Sequence, residues 1–366
     1  MSRLFEPWSL NNLRMPNRIV IAPMSQYSAE EGSATDWHMI HLGHLALSGA
    51  GLMILEVTAV SQRGRISAQD LGLYSDENEA ALARVLGAVR AHSPIALAIQ
   101  LSHAGRKGSS RAPWNGGVQV RAHETTGWRT EAPSAIPHAE GDDLPMALDS
   151  EGLRRVRDEF VEATRRAARL GFDGIEVHGA HGYLLHQFLS PIANKREDAY
   201  GGSVENRMRF PLEVFDAVRG AFPAEKPVWM RISATDWVPG GWDIDGTIAL
   251  SHALKSRGCA AIHVTTGGVS PAQAIKPGPG YQVPYAQKVR SEVGLPTIAV
   301  GMITEPEQAE AIIAKGEADA VSLARAMLYD PRWPWHAAAK LGAHVHAPKQ
   351  YWRSQPREHE NLFRMK

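Results

Sequence analysis

Eight short aliphatic runs recur along the chain, each ending at a small, polar or ring residue, and they constrain the fold more than any other feature. They are RIVIAP (18–23), GLMILEVTA (51–59), IALAIQLSH (95–103), FDGIEVHG (172–179), PVWMRIS (227–233), AAIHVTT (260–266), PTIAVG (296–301) and ADAVSLAR (318–325). Runs without polar alternation read as strands covered on both faces, as in a parallel sheet. Between them the apolar residues switch to helical spacing. Leu82, Val85, Leu86 and Val89 make one stripe, Leu153, Val156, Phe160 and Ala163 a second, and Met208, Leu212, Phe215 and Val218 a third. Cap signals keep the same phase: Ser75 and Asp245 sit where helices should start, Thr304-Glu305-Pro306-Glu307 reads as a capping box, and Gly171 and Gly258 fall where helices should end. Eight strand–helix units in series predict a closed (β/α)8 TIM barrel of the α/β class rather than an open doubly wound sheet. Two connections, 104–147 after the third strand and 180–203 after the fourth, are long enough to be lids or site walls. Residues 1–355 are expected to form a single barrel domain with its C-terminal segment, and 356–366 a disordered polar tail.

Lys plus Arg and Asp plus Glu number 39 each, so net charge points to neither nucleic acid nor an anionic membrane, and the expected partners are small molecules. The single cysteine, Cys259, leaves no disulfide, no cysteine-rich zinc site and no cysteine-ligated iron–sulfur cluster, and fits the cytoplasm. The N-terminal MSRLFEPWSLNNLRMPNRI has no continuous apolar core, and AGLMILEVTAV is too short and too charged to span a bilayer. Neither G-x-G-x-x-G nor G-x-x-x-x-G-K-[ST] occurs.

Barrels of this type place their chemistry at the C-terminal mouth, which makes the strand-end residues decisive. Strand one ends in Pro23-Met24-Ser25-Gln26-Tyr27, strand three carries Gln100 and His103-Ala104-Gly105-Arg106-Lys107, strand four ends in His178, His181 and Tyr183, and strand five carries Arg231. The last three strands end in Thr265-Thr266-Gly267-Gly268, Gly301 and Ala324-Arg325. These small residues serve either tight turns or a phosphate site, and Arg325 favours the phosphate.

His178 and His181 read as metal ligands, as a grip on a substrate oxygen, or as filling at a helix start. A catalytic metal wants a third protein ligand, and no obvious one ends another strand. Two neutral imidazoles donating to one oxygen would polarise a carbonyl, each donor worth about 3 kcal/mol at the transition state. Tyr183, with a phenol pKa of ~10, would then stand by as an acid. Arg231 on an apolar strand needs an anion, such as a reduced flavin ring, or a salt bridge to a strand carboxylate such as Glu56.

Taken together, LFEPWSLNNLRMPNRIVIAPMSQY, IQLSHAGRK, APSAIP, HGAHGYLLHQFLSPIANKREDAYGGSVENRMRF, RIS, TTGG, AVGMIT and SLARAML resemble the Old Yellow Enzyme family of FMN-dependent ene-reductases, most nearly its bacterial xenobiotic-reductase-like branch. The resemblance spans essentially the whole barrel. It implies a non-covalent FMN reduced by NADPH or NADH, and a ping-pong passage of hydride to the activated C=C bond of an enone or a nitro compound. It implies that Pro23, Met24, Ser25, Ala59 and Gln100 border the flavin ring, that Arg231 lies near its N1 side, and that Gly301, Ala324 and Arg325 hold the phosphate. His178 and His181 would grip the substrate oxygen, Tyr183 would donate the proton, and Tyr27 would be a second phenol in the pocket. Gln350-Tyr351-Trp352-Arg353 resembles a segment that reaches a neighbouring subunit's site, which implies a homodimer or homotetramer with Arg353 shared.

Two positions depart from the branch. Ser25 stands where cysteine is usual, losing a soft sulfur against the flavin. The expectation is a shifted flavin potential with activity retained, which the midpoint potential of Ser25→Cys checks. Ala324 stands where glycine is common. Two rival readings remain at this level: a metal-dependent barrel hydrolase using His178 and His181, and a flavin-binding protein without turnover.

Overall fold

The computed structural model describes residues 2–363. Eight parallel strands close into a barrel in sequence order. They are β1 (Ile19–Ile21), β2 (Leu52–Ala59), β3 (Ala96–Ser102), β4 (Gly174–Gly179), β5 (Val228–Ser233), β6 (Ile262–Thr265), β7 (Thr297–Ala299) and β8 (Ala320–Leu323). Each lies inside one of the eight aliphatic runs. Every residue of these strands except Ala96 is buried, which is why the runs lack alternation.

The three sequence stripes are the buried faces of helices Asp76–His92, Ser150–Arg169 and Val204–Ala221. Ser75 caps the first by accepting from the Asn78 amide. Two cap expectations are corrected. Asp243, not Asp245, caps helix Ile244–Lys255, its side chain accepting from Gly246. The capping box at 304–307 does not form; Pro306 opens helix Pro306–Ala314, and the Gln308 side chain accepts from the Thr304 amide instead. Gly171 and Gly258 both follow helix ends with positive φ.

Below the barrel, a hairpin of Trp8–Leu10 and Leu13–Met15 packs Leu10 and Met15 into the main core just before β1. Of the two long connections, 104–147 holds a short parallel pair, Glu131–Ala132 with Met146–Ala147, and 180–203 holds helix Leu184–Leu189. Residues 356–363 turn back rather than trail away: Leu362 and Phe363 are buried with Trp335, Ala338, Val345 and Ala347. The final three residues of the expected tail, 364–366, lie outside the described residues. Among the described residues no helix is long and apolar enough to cross a membrane.

Candidate active site

Strand register sets the site. Gln100, Glu176 and Trp229 face one another at one level of β3, β4 and β5, and His178, Arg231 and His263 align one residue pair higher across β4, β5 and β6. Glu176 accepts from Gln100 Nε2 at 2.6 Å, from Trp229 Nε1 at 2.6 Å and from His263 Nδ1 at 2.7 Å. Burial works to raise its pKa, but His263, Arg231 and these hydrogen bonds overrule it and keep the carboxylate ionised. Glu176 is therefore the acid that faces Arg231. Glu56, the partner weighed from sequence, instead accepts from the Gln26 amide at 2.7 Å and faces His38.

The turn after β4 carries His178, His181 and Tyr183. His178 Nδ1 accepts from the Ala180 amide at 3.3 Å, which puts the ring proton on Nε2, and that atom lies 3.4 Å from His181 Nδ1. His181 Nε2 lies 3.1 Å from Thr265 Oγ1 at the end of β6. Burial first, then the nearby Arg231 cation, holds both imidazoles well below their ordinary pKa, so both are neutral at physiological pH. Tyr183 packs edge-on to His178, ring centres 5.1 Å apart, and burial pushes its phenol pKa well above 10. It keeps its proton.

The turn is held in an unusual backbone conformation. His181 has φ of 58°, uncommon for a residue with a side chain. Its amide donates to Ser233 Oγ at 2.9 Å and its carbonyl accepts from Lys107 Nζ at 2.8 Å. Lys107 also donates to the Gly268 carbonyl at 2.9 Å, tying the third, fourth and sixth strand ends together. A Cβ on Gly268 would sit 2.5 Å from the His181 backbone, and one on Gly182 would sit 2.1 Å from the Gly268 carbonyl. Gly268 thus serves a close approach of two loops. Burial, with Arg106 alongside, pulls the Lys107 pKa down to about 8.

A cavity of about 1000 Å³ runs from His181 and Thr265 past Gly301 and Ser322 to Ala324 and Arg325. Structure therefore brings the last three strand ends into one concave space beside the histidine turn. Pro23, Met24 and Ser25 follow β1 and are half-buried, and Ala59 and Gln100 are fully buried on the neighbouring strands. Tyr27, also at positive φ, meets Trp114 of the 104–147 connection edge to face at 5.5 Å. Burial, then Asp70 and Glu56, pushes the Tyr27 pKa up to about 12. Several buried polar atoms here have no partner among the described residues: Gln100 Oε1, Arg231 Nε, Thr266 Oγ1 and Ser322 Oγ. Such atoms cost free energy unless something polar meets them.

Arg353 is not brought to this mouth. It is exposed in the turn Lys349–Ser354, whose Trp352 shares a second, separate hollow with Arg90, His92 and Ser93, the residues that precede β3. Among the described residues no three His, Cys, Asp or Glu side chains are placed to hold a metal ion. Sequence reasoning missed Glu176 and His263, and it placed Thr265 at a strand end without its contact to His181. The signal for Glu176 was a lone carboxylate two residues before His178, on the same strand face; nothing in the sequence pairs it with His263.

Residues 3–343 match the NADH:flavin oxidoreductase / NADH oxidase family. The chain is 42% identical over 350 residues to an NADPH dehydrogenase of Geobacillus thermodenitrificans, covering 95% of this chain and 97% of that one. It is 41% identical over 366 residues to an NADH:flavin oxidoreductase of Gibberella zeae, covering 95% and 88%. Among solved structures, morphinone reductase superposes with a TM-score of 0.77 at 30% identity, covering 94% of this chain and 91% of that chain. An Old Yellow Enzyme homologue of Zymomonas mobilis superposes with a TM-score of 0.76 at 25% identity, covering 99% of each.

Proposed function

The chain belongs to the NADH:flavin oxidoreductase / NADH oxidase family, and from that premise we propose that it reduces the activated C=C bond of enones, and of nitro-substituted alkenes, at the mouth of its barrel. Membership makes it an oxidoreductase that uses FMN and a nicotinamide nucleotide, in place of the metal-dependent hydrolase or turnover-free binder weighed from sequence.

The residues present suit FMN. The unpartnered Gln100 Oε1 and Arg231 Nε would meet the polar edge of the ring, and Pro23, Met24, Ser25 and Ala59 would border it. Gly301, Ala324 and Arg325, all lining the cavity, would hold the phosphate. When bound, FMN supplies a two-electron carrier that takes hydride from NADPH or NADH and passes hydride to the β-carbon of the alkene.

The protein's own part follows from its side chains. His178 Nε2 and His181 Nδ1 are 3.4 Å apart, so one oxygen sits within about 2.9 Å of both, the length of an ordinary hydrogen bond. Two neutral donors stabilise negative charge growing on a carbonyl or nitro oxygen and draw electrons from the β-carbon. Tyr183 holds a proton at its phenol oxygen beside the histidine pair and would be the acid for the α-carbon. Tyr27, edge to face with Trp114, would be a second phenol in the pocket.

The paired ring nitrogens carry this reading. Phenol titrated into the FMN-loaded enzyme tests it: a phenolate gripped over the ring gives a long-wavelength charge-transfer band. His178→Ala should abolish the band, and an unchanged band would contradict the grip. The protein is further proposed to act in the cytoplasm as a single-domain subunit of a homodimer or homotetramer. Arg353 would enter the partner subunit's site, which its exposure and its place outside the lining of its own mouth cavity support.

A further inference from the structure

We infer that the Thr265 hydroxyl satisfies Nε2 of His181 in both tautomers, accepting from it in the ligand-free site and donating to it when an oxygen ligand arrives, and so lets His181 change from acceptor to donor at Nδ1. The inference rests on the proposed grip of that oxygen by both imidazoles.

The hydrogen-bond chain has a direction. The Ala180 amide donates to His178 Nδ1 at 3.3 Å, so the His178 proton is on Nε2 and points at His181 Nδ1, 3.4 Å away. Two N–H groups aimed at each other repel. His181 therefore offers a lone pair from Nδ1 and carries its proton on Nε2, where Thr265 Oγ1 accepts it at 3.1 Å.

A substrate oxygen between the rings reverses the requirement. Both His178 Nε2 and His181 Nδ1 must then donate, which leaves His181 Nε2 as a buried lone pair. A hydroxyl serves both arrangements from one atom that stays in place, because its oxygen accepts in the first and its hydrogen rotates to donate in the second. Thr265 is buried at the end of β6, and its partner His181 is pinned through its amide to Ser233 and through its carbonyl to Lys107. The ring thus keeps its place while its proton moves from Nε2 to Nδ1 by exchange with solvent. Burial holds the ring neutral in the ligand-free protein, and a bound neutral carbonyl then asks for a change of tautomer rather than of charge. Thr265 touches neither reacting carbon; it is a positioning residue.

The test is nitrogen-15 NMR of histidine-labelled FMN holoenzyme, the His181 signals identified by their loss in His181→Asn. The expected result is protonated Nε2 without phenol and protonated Nδ1 with it. Thr265→Val, which keeps the shape but removes the hydroxyl, should weaken phenol binding about tenfold, the worth of about one hydrogen bond. Thr265→Ser should bring binding back. A tautomer that does not change on phenol binding, or a Thr265→Val protein that binds phenol as tightly as the parent, would overturn the assignment. Protonated Nδ1 in the phenol-free protein would overturn it as well. A parent enzyme that does not bind phenol at all would instead overturn the proposed grip, and the phenol-free tautomer would still decide the role of Thr265.

Discussion

Gln100 Nε2 donates to Glu176 Oε1 across 2.6 Å in the barrel interior, which leaves Gln100 Oε1 as an acceptor without a partner among the described residues. The same carboxylate takes hydrogen bonds from Trp229 and His263 and is the anion facing Arg231. Removing its charge strands a buried guanidinium and frees the Gln100 amide to rotate. Glu176→Gln should lower stability by about 3–5 kcal/mol, as loss of one member of a buried ionic cluster does. Denaturant unfolding measures this, and FMN affinity should fall with it. A loss under about 1 kcal/mol would show that the cluster relaxes without that charge.

Tyr183 meets His178 edge to face and retains its proton through burial. Tyr183→Phe preserves the ring and removes the acid. Enone turnover should drop about a hundredfold or more, the lower range for losing a positioned general acid. Stopped-flow mixing of reduced enzyme with 2-cyclohexenone reads that step alone. A drop of less than about threefold would pass the role to another donor.

Arg353 is exposed, and its turn lies by residues that precede β3, away from the mouth. If it completes the partner subunit's site, Arg353→Ala should raise the KM for 2-cyclohexenone about tenfold, the worth of about one charged hydrogen bond, while leaving subunit assembly intact. Equal KM in a normally assembled enzyme would remove it from the site.

Glu131, in the 104–147 connection, accepts from Arg155 at 2.6 Å and Arg63 at 3.2 Å and faces His103 at the end of β3. Burial works to raise its pKa, but His103 and Arg155 overrule it and hold the carboxyl down to about 2, from an ordinary 4.5. A depressed carboxylate contributes stability fully above its unfolded pKa and loses it as pH falls through the folded one. The contribution, on the order of 3 kcal/mol, should therefore vanish between pH about 4.5 and about 2. Glu131→Gln should flatten the stability profile in that window, and an unaltered acid slope would contradict the pairing.

All eight strands could be read from the sequence because each is buried on both faces, and that burial writes itself as an unbroken aliphatic run. Helix caps were harder. Asp243 and Asp245 are both good caps, and only the backbone chooses between them. His178, His181 and Tyr183 stood out as polar residues at a strand end. Thr265 stood at a strand end too, but its contact is with an imidazole 84 residues away in sequence, which no local pattern encodes. Gly268 was legible as a glycine with a purpose, but the purpose is the nearness of His181, a contact between loops that no local pattern encodes.

The most direct test of the central claim is anaerobic. The FMN-loaded protein is bleached with one equivalent of NADPH, then mixed with one equivalent of 2-cyclohexenone while flavin absorbance is followed. Full return of the oxidised spectrum is expected, with formation of cyclohexanone in equal amount. A reduced enzyme that stays bleached with the enone, and recolours only when oxygen is admitted, would contradict it.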